Sequence, residues 1–351
     1  MRCIRARLVA MKAVVLHEVG PAENLITEAE WPRPSVQPGR VTVRVRAAGV
    51  CYRDVIDRLG GFPYMKRPII PGHEIAGEVV EVGDGVEDFA VGDRVVNLHR
   101  GACGECEYCR AGHEPRCMRQ PYAVGLTIDG GYAEYALLPA SCLVALPARV
   151  PFEQACFLAC TAGVALRGLR GHARLDRGQT VLITGASGGV GLHAIQVARA
   201  LGARVVAVTS SQAKVDSLRA RGAEEVVVST DLAFHKQVKQ LTGGVDVAFD
   251  CVGEPTLNAS VRSLKPMGRC VVAGNVTVSR FELNPGLMIL NELSLSGTSA
   301  CSRRDLEQVL DWVTEGAIEP VLDEVLDLDD AVKAHRRLES RGVTGRLVLK
   351  P

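Results

Sequence analysis

Four cysteines, Cys103, Cys106, Cys109 and Cys117, follow one another at spacings of three, three and eight residues. Steps of Cys-x2-Cys let one loop wrap three thiolates around a Zn2+ ion before a fourth closes a tetrahedral shell. The competing readings are a disulfide pair or four unrelated buried thiols. Two-residue gaps suit chelation better, and a chain of 351 residues lacks the small secreted form in which disulfide frameworks occur. A closed cage of this kind is structural and carries out no reaction itself. A second and different set of ligand types, Cys51, His73, Glu74 and Cys160, is dispersed along the chain. A catalytic zinc takes ligands from separate elements and leaves, or can be made to leave, one position open to substrate or water. Taken singly, each has a blander reading, the cysteines as small core residues and the His-Glu pair as solvated surface.

A third constellation binds rather than reacts. Residues 181–191 run from an apolar strand into Gly185-Ala186-Ser187-Gly188-Gly189-Val190-Gly191 and then into a helix whose Val190, Ala194, Val197, Ala198 and Leu201 share one face. Glycines there let the backbone approach a pyrophosphate, whose charge meets the free N–H groups at the start of the helix. Ala186 stands where the first glycine of the dinucleotide fingerprint is usual. The second strand of such a unit selects between the nicotinamide cofactors, because a carboxylate at its end would hold the ribose 2′-hydroxyl and repel a 2′-phosphate. Here that strand ends Val208-Thr209-Ser210-Ser211, with Lys214 a turn later. Hydroxyls and a cation suit a phosphate, so NADP(H) is favoured over NAD(H). Ser210 or Ser211 can equally cap the next helix.

These groups need a scaffold, and 351 residues exceed one ordinary core, which predicts two domains. From Met11 to about Leu146, short β-branched runs at 41–46, 75–82, 94–98 and 132–138 are broken by Gly and Pro and predict a β-rich unit. From about Pro151 the texture changes to strands (180–184, 204–209, 225–228, 246–250, 269–273, 293–296) alternating with helices (189–201, 212–221), which predicts a parallel, doubly wound sheet. A helix after Ser302, an amphipathic stretch at 329–339 and a strand at 345–349 close the chain, and residues 1–10 read as a loose extension.

With 41 basic and 40 acidic residues interspersed, there is no basic face for a phosphate backbone, and aromatics at 4% disfavour base stacking, so nucleic acid is not an expected partner. No apolar run approaches a membrane span. The 12 cysteines include Cys142, Cys156, Cys251 and Cys270 in apolar runs, where they read as small hydrophobes of a reducing, cytoplasmic compartment.

Over residues 11–351 the chain resembles the zinc-containing medium-chain dehydrogenase/reductases of the alcohol dehydrogenase type. Pro71-Gly72-His73-Glu74-Ile75-Ala76-Gly77, continuing to Gly83 and Val86, matches the family's zinc signature. Gly49-Val50-Cys51 matches its first ligand, residues 103–117 its structural-zinc lobe, and Ala159-Cys160-Thr161-Ala162-Gly163 its last ligand. The resemblance implies an α/β fold, with a β-rich GroES-like catalytic domain over 11–158 and 300–351 and a Rossmann domain over 159–299. It implies Cys51, His73 and Cys160 as ligands of a catalytic zinc, Glu74 as an exchangeable one, and Asp54 as the acid that holds the ligand histidine. It further implies that Thr161, Cys251, Val252, Gly274 and Asn275 join the glycine turn and strand-end residues around the cofactor. Relatives on this fold assemble as dimers or tetramers, partly through an edge strand that here corresponds to 293–296.

One position departs from the pattern. Typical alcohol dehydrogenases carry Ser or Thr two residues after the first cysteine, where the hydroxyl takes the alcohol's proton. This chain has Arg53 there, and Ile56 where a relay histidine often lies. A guanidinium cannot accept that proton. Proton transfer would go by Tyr52, by water, or not at all. Cys51-Tyr52-Arg53-Asp54, with 186–191 and 193–198, is closer to a branch containing acryloyl-CoA and related enoyl reductases. Arg53 would then lie near an anionic substrate or form a surface or interdomain ion pair. The chain is accordingly expected to be a zinc-dependent alcohol dehydrogenase or carbonyl reductase passing hydride between NADP(H) and an alcohol, ketone or aldehyde. The alternative is an NADPH-dependent acryloyl-CoA/enoyl reductase, and a further one is a non-catalytic dinucleotide-binding protein on the same fold.

Overall fold

A computed structural model describes residues 9–120 and 122–351. The expected N-terminal extension therefore lies outside the described residues up to residue 8. Its last residue, Ala10, already belongs to the strand Ala10–Leu16, which pairs antiparallel with Leu25–Pro32.

The first large sheet has the spatial order Leu322–Asp327, Arg346–Lys350, Arg40–Val50, Glu74–Val82, Arg94–Asn97, Leu143–Ala145. Only its first two strands run parallel to one another. Tyr135–Pro139 pairs with the first half of Arg40–Val50, while Leu347 to Leu349 pair with the second half. The strand expected at 41–46 thus continues to Val50, through Ala47, Ala48 and Gly49, which carry no β-branched signal. Their size has a cause. Gly49 lies opposite Glu74, and a Cβ on Gly49 would stand 2.1 Å from Glu74 Oε2. The extra residues bring the strand end, and Cys51 immediately after it, beside Glu74.

The second sheet is parallel throughout, in the order Glu225–Val228, Arg204–Thr209, Thr180–Ile183, Val245–Asp250, Leu264–Val272, Ser294–Gly297. Both faces are covered, so its strands read as continuous apolar runs. The order reverses between Thr180–Ile183 and Val245–Asp250, leaving a crevice at the carboxyl ends of the strands. Leu264–Val272 starts five residues before the expected strand, because Pro266 and the left-handed Met267 (φ 64°) hide its first half from any strand pattern. The helix expected at 212–221 is a tight turn at Gln212–Lys214 followed by Val215–Ala220, where only Val215 and Leu218 are buried to hold it.

Residues 152–172 connect the sheets as a helical segment. Gly163 N donates to Leu158 O at 2.8 Å, a bond five residues long that widens the turn carrying Cys160. One apolar core runs from Ala47, Ala76 and Val96 through Phe157, Leu158 and Leu166 to Ile183 and Val247, so the two sheets share an interior. No helix among the described residues is long and apolar enough to cross a membrane.

Gly49→Ala is expected to cost about 1–3 kcal/mol by overpacking the contact with Glu74. Thermal unfolding checks this, and an unchanged midpoint would show that the strands part freely there.

Candidate active site

The dispersed ligand types come together. Cys51, His73, Glu74 and Cys160 each offer an atom within 4.8 Å of the others, as do Cys103, Cys106, Cys109 and Cys117. Cys51 ends the strand Arg40–Val50 and caps the helix Tyr52–Arg58, and its backbone N–H donates to Asp54 Oδ2 at 2.9 Å. The other carboxylate oxygen of Asp54 lies 2.8 Å from His73 Nδ1. That bond leaves His73 Nε2, 3.4 Å from Cys160 Sγ, facing the two thiols, which are 4.0 Å apart. Asp54 therefore stands where an acid holding the histidine was expected.

Two residues that sequence reasoning missed complete the centre. Asn97 accepts from Ile75 N at 2.6 Å and donates to His73 O at 3.0 Å, fixing the backbone on both sides of Glu74. Arg346, 4% exposed, donates from Nε and Nη2 to the two oxygens of Glu74, at 3.1 and 2.5 Å. Its Nη2 also lies 3.4 Å from Cys51 Sγ. Asn97 interrupts the apolar run Val95-Val96-Asn97-Leu98 and Arg346 heads the run Leu347-Val348-Leu349, and a polar residue so placed is the signal that could have singled them out.

The electrostatics suit a cation. The Cys160 thiol, with the Arg346 guanidinium and His73, holds Cys51 well below the usual thiol range, while Cys51 drives Cys160 well above it. The two sulfurs share one negative charge until a second cation displaces the remaining proton. Burial pushes the Glu74 carboxyl up to about 7, against the pull of Arg346. Soft sulfur, imidazole and a carboxylate from three separate segments form a donor set that fits zinc.

In the cysteine lobe, Cys103 N donates to Cys117 Sγ and Cys106 N to Cys103 Sγ, both at 3.3 Å. None of the described cysteines is disulfide-bonded. The lobe reaches across to the other sheet, where Arg116 Nη2 meets Ser299 Oγ at 2.7 Å and Glu114 accepts from Arg303 N at 2.8 Å.

At the crevice, the tight turn falls on Gly185 (φ 56°), with Gly188 N donating to Gly185 O at 3.0 Å. Ala186 needs no left-handed backbone, which is why alanine is tolerated there. Ser187 and Val190 are half-buried and Gly188 is exposed, at the loop tip and the start of the helix Gly189–Ala200. A Cβ on Gly191 would stand 2.4 Å from Gly185 O, so glycine is required where helix and turn meet. Gly188 also bridges to Gly345, and a Cβ on Gly189 would lie 2.9 Å from Arg346 Nη1. The same arginine that holds Glu74 therefore packs on the glycine turn.

Thr209 Oγ1 accepts from Ser211 N at 3.2 Å, Ser210 is exposed, and Lys214 Nζ donates to Val343 O at 3.3 Å. Asp250 accepts from Val252 N, Gly253 N, Thr256 Oγ1 and Ser260 Oγ, which rigidifies the loop holding Cys251 and Val252. Gly274 lies against that loop, since its Cβ would stand 1.9 Å from Cys251 O, and Asn275 is exposed beside it. Thr161 is buried, its hydroxyl donating to Phe157 O at 2.9 Å within the connecting segment.

Arg53 makes a local ion pair. Its Nε donates to Asp57 Oδ1 at 2.6 Å one turn along the same helix, and its guanidinium lies 4.1 Å over the Phe62 ring. Both partners lie on the helix Tyr52–Arg58, so the pair is not interdomain, and Asp57 is buried, so it is not a surface pair. Burial pushes Asp57 up to about 6, and the charge of Arg53 limits the rise.

The alcohol dehydrogenase GroES-like domain model matches residues 37–148, and the zinc-binding dehydrogenase model matches residues 189–315. The chain is an oxidoreductase and belongs to the zinc-containing medium-chain dehydrogenase/reductase family. It is similar to the acryloyl-coenzyme A reductase of Metallosphaera sedula, 40% identical over 97% of this chain and 99% of that one. An alcohol dehydrogenase of Geobacillus stearothermophilus is 33% identical over 97% of this chain and 99% of its own. The crystal structure of AibC superposes with a TM-score of 0.92 at 44% identity, covering 98% of this chain and 97% of that one.

Arg346→Leu is expected to cost about 3–5 kcal/mol, because it leaves a buried carboxylate unpaired, and Arg346→Lys recovers only part of this for want of a second donor. Denaturant unfolding of the two variants checks the order. Arg53→Met is expected to cost about 1–2 kcal/mol at pH 8 and far less at pH 5, since Asp57 is protonated below about 6 and then has no charge to lose. Combining it with Asp57→Asn should remove the pH dependence, and a penalty equal at both pH values would contradict this assignment.

Proposed function

We propose that this chain is an NADPH-dependent reductase of an α,β-unsaturated acyl thioester, the chemistry named for its acryloyl-coenzyme A reductase relative. The observation that carries the reading is Arg53. An alcohol must lose its hydroxyl proton at every turnover, and beside Cys51 the position of the accepting hydroxyl holds a guanidinium tied to Asp57 and stacked on Phe62. Reduction of a conjugated C=C bond needs no such acceptor. Hydride goes to the β-carbon, negative charge moves onto the carbonyl oxygen, and the α-carbon takes a proton from solvent. Arg53 Nη2 is buried with no acceptor among the described residues, a donor free for a substrate oxygen.

Cys51, His73 and Cys160 would hold zinc, with Glu74 beside them under the control of Arg346, and the cage of Cys103, Cys106, Cys109 and Cys117 a second ion. Bound zinc supplies Lewis-acid polarisation of an oxygen, and bound NADPH supplies the hydride. The chain's own part is to present the free amides at the start of the helix Gly189–Ala200 to a pyrophosphate and to offer Thr209, Ser210, Ser211 and Lys214, with no carboxylate, to a 2′-phosphate. The catalytic and cofactor domains divide at 11–158 with 300–351 and at 159–299. Among the described residues Ser294–Gly297 has a neighbour on one side only, and Met267, Ile289 and Leu290 are exposed near it, which supports two-fold sheet pairing into a dimer or tetramer. The second reading, carbonyl reduction or alcohol oxidation, is favoured by the intact set Cys51, His73, Glu74 and Cys160.

NADPH oxidation is measured with acryloyl-CoA and with simple aldehydes and ketones. The expected kcat/KM on the thioester exceeds every carbonyl value by about tenfold or more, and Arg53→Ser lowers it about tenfold. Carbonyl turnover above thioester turnover in the unaltered chain would transfer the assignment to the second reading.

A further inference from the structure

The hydrogen bonds around Asp54 continue beyond the ligand set. Besides Cys51 N and His73 Nδ1, Asp54 faces Tyr132, whose hydroxyl donates to Oδ2 at 3.2 Å. Tyr132 is fully buried, with its ring against Gly72, where a Cβ would stand 2.3 Å from the ring. The same hydroxyl lies 3.3 Å from Nε2 of His335, fully buried on the helix Ala331–Glu339. Nδ1 of His335 lies 3.4 Å from Arg58 Nε. Arg58, buried at the end of the helix that starts at Tyr52, also bonds Glu339 at 2.5 Å and the Gly20 carbonyl.

Chemistry fixes the direction of this chain. A guanidinium only donates, so Nδ1 of His335 accepts. Burial pushes His335 down to about 4, so the ring is neutral near pH 7 and its one proton sits on Nε2. Nε2–H then donates to Tyr132 Oη, whose own proton goes to Asp54. Asp54, accepting from Tyr132 and from the Cys51 amide, also accepts from Nδ1–H of His73. A metal ion displacing the second proton of His73 would then find the Nε2 lone pair facing the thiols.

We propose that Tyr132 and His335 are positioning residues for the metal centre, forming with Arg58 a one-directional hydrogen-bond chain that fixes the rotamer of Asp54 and the tautomer of His73. The proposal rests on Cys51, His73 and Cys160 being zinc ligands and is independent of the substrate. Neither residue belongs to a ligand motif, and both come from segments remote from it in sequence: Tyr132 reaches it through its backbone bond to Pro71 O, and His335 through the packing of the helix Ala331–Glu339 on the helix Tyr52–Arg58.

The test uses Tyr132→Phe, which keeps the ring against Gly72, with His335→Leu and His335→Gln. A glutamine amide can accept from Arg58 and donate to Tyr132, so H335Q preserves the direction of the chain. Zinc retained per chain is measured against graded chelator, together with the absorption spectrum of the cobalt-substituted protein and the unfolding midpoint. Y132F and H335L are expected to weaken one zinc about tenfold and to alter the cobalt spectrum, with the second zinc retained and H335Q within about threefold of the unaltered chain. Folded Y132F and H335L with unaltered spectra and affinities within about twofold would refute the hydrogen-bond chain alone. Equal losses in H335Q and H335L, tracking the unfolding midpoint, would reduce it to packing. One zinc per unaltered chain would refute the metal reading itself and the proposal with it.

Discussion

Glu74 is 1% exposed, and a carboxylate at that depth cannot stay ionised without a partner that meets it on both oxygens. Arg346 is that partner, and it comes from the far end of the chain. The pair therefore forms only once the strand Arg346–Lys350 lies beside Arg40–Val50, which in turn places Cys51 next to Glu74. The residue before Arg346 bridges to Gly188, and Arg346 itself fills the space a Cβ on Gly189 would need. One guanidinium thus sets the charge at the ligand set and the position of the glycine turn, so neither can move without the other.

The remaining contacts between the sheets reinforce this tie. Cys160 enters from the widened turn of the connecting segment, whose neighbours Phe157, Leu158 and Ala162 belong to the same apolar interior as Ile183, Ala194 and Val197. A ligand carried by that segment is positioned by the cofactor-side core as much as by the sheet that supplies Cys51 and His73. The cysteine lobe adds a second bridge, with Glu114 receiving the N–H of Arg303 at the start of the helix Arg303–Thr314 and Arg116 meeting Ser299. A closed metal cage far from any reaction acquires a role in this way, because it stiffens the loop that holds these two contacts.

What was legible in the sequence was local. The Cys-x2-Cys steps, the strand–glycine–helix run and the His73–Glu74 motif each declare themselves within a dozen or so residues, and the alternation after Pro151 announces the parallel sheet. What escaped was either polar within an apolar run or conditional on distant packing. Asn97 and Arg346 look like imperfections in strands until the backbone of His73 and the carboxylate of Glu74 are placed against them. Residues 47–49 are Ala-Ala-Gly and give little strand signal, and at Gly49 closeness to Glu74 leaves no room for a side chain. Arg53 was legible as a departure, but its partner was not, since Asp57 is equally compatible with a solvated helix face until its burial is known.

That departure bears on which reaction the centre can sustain. On the side of Arg53 away from Asp57, the charges that act on Arg100 and His99 are positive. Arg100 is held below its usual range by burial and by the fields of Arg53 and Arg116, and His99, its ring 4.9 Å from that of His73, is kept neutral by burial and by His73 and Arg53. Such surroundings oppose a protonated relay group, and a neutral imidazole beside the guanidiniums of Arg53 and Arg100 is a poor acceptor for an alcohol's proton. They favour negative charge developing on a substrate oxygen, and a substrate that is itself anionic. Oxidation of an alcohol asks this wall of the site to take up a proton, whereas reduction of a conjugated thioester asks it to stabilise an enolate. In the reading proposed above it is the second demand that Arg53, paired on one side by Asp57 and with Nη2 unpartnered among the described residues, is suited to meet.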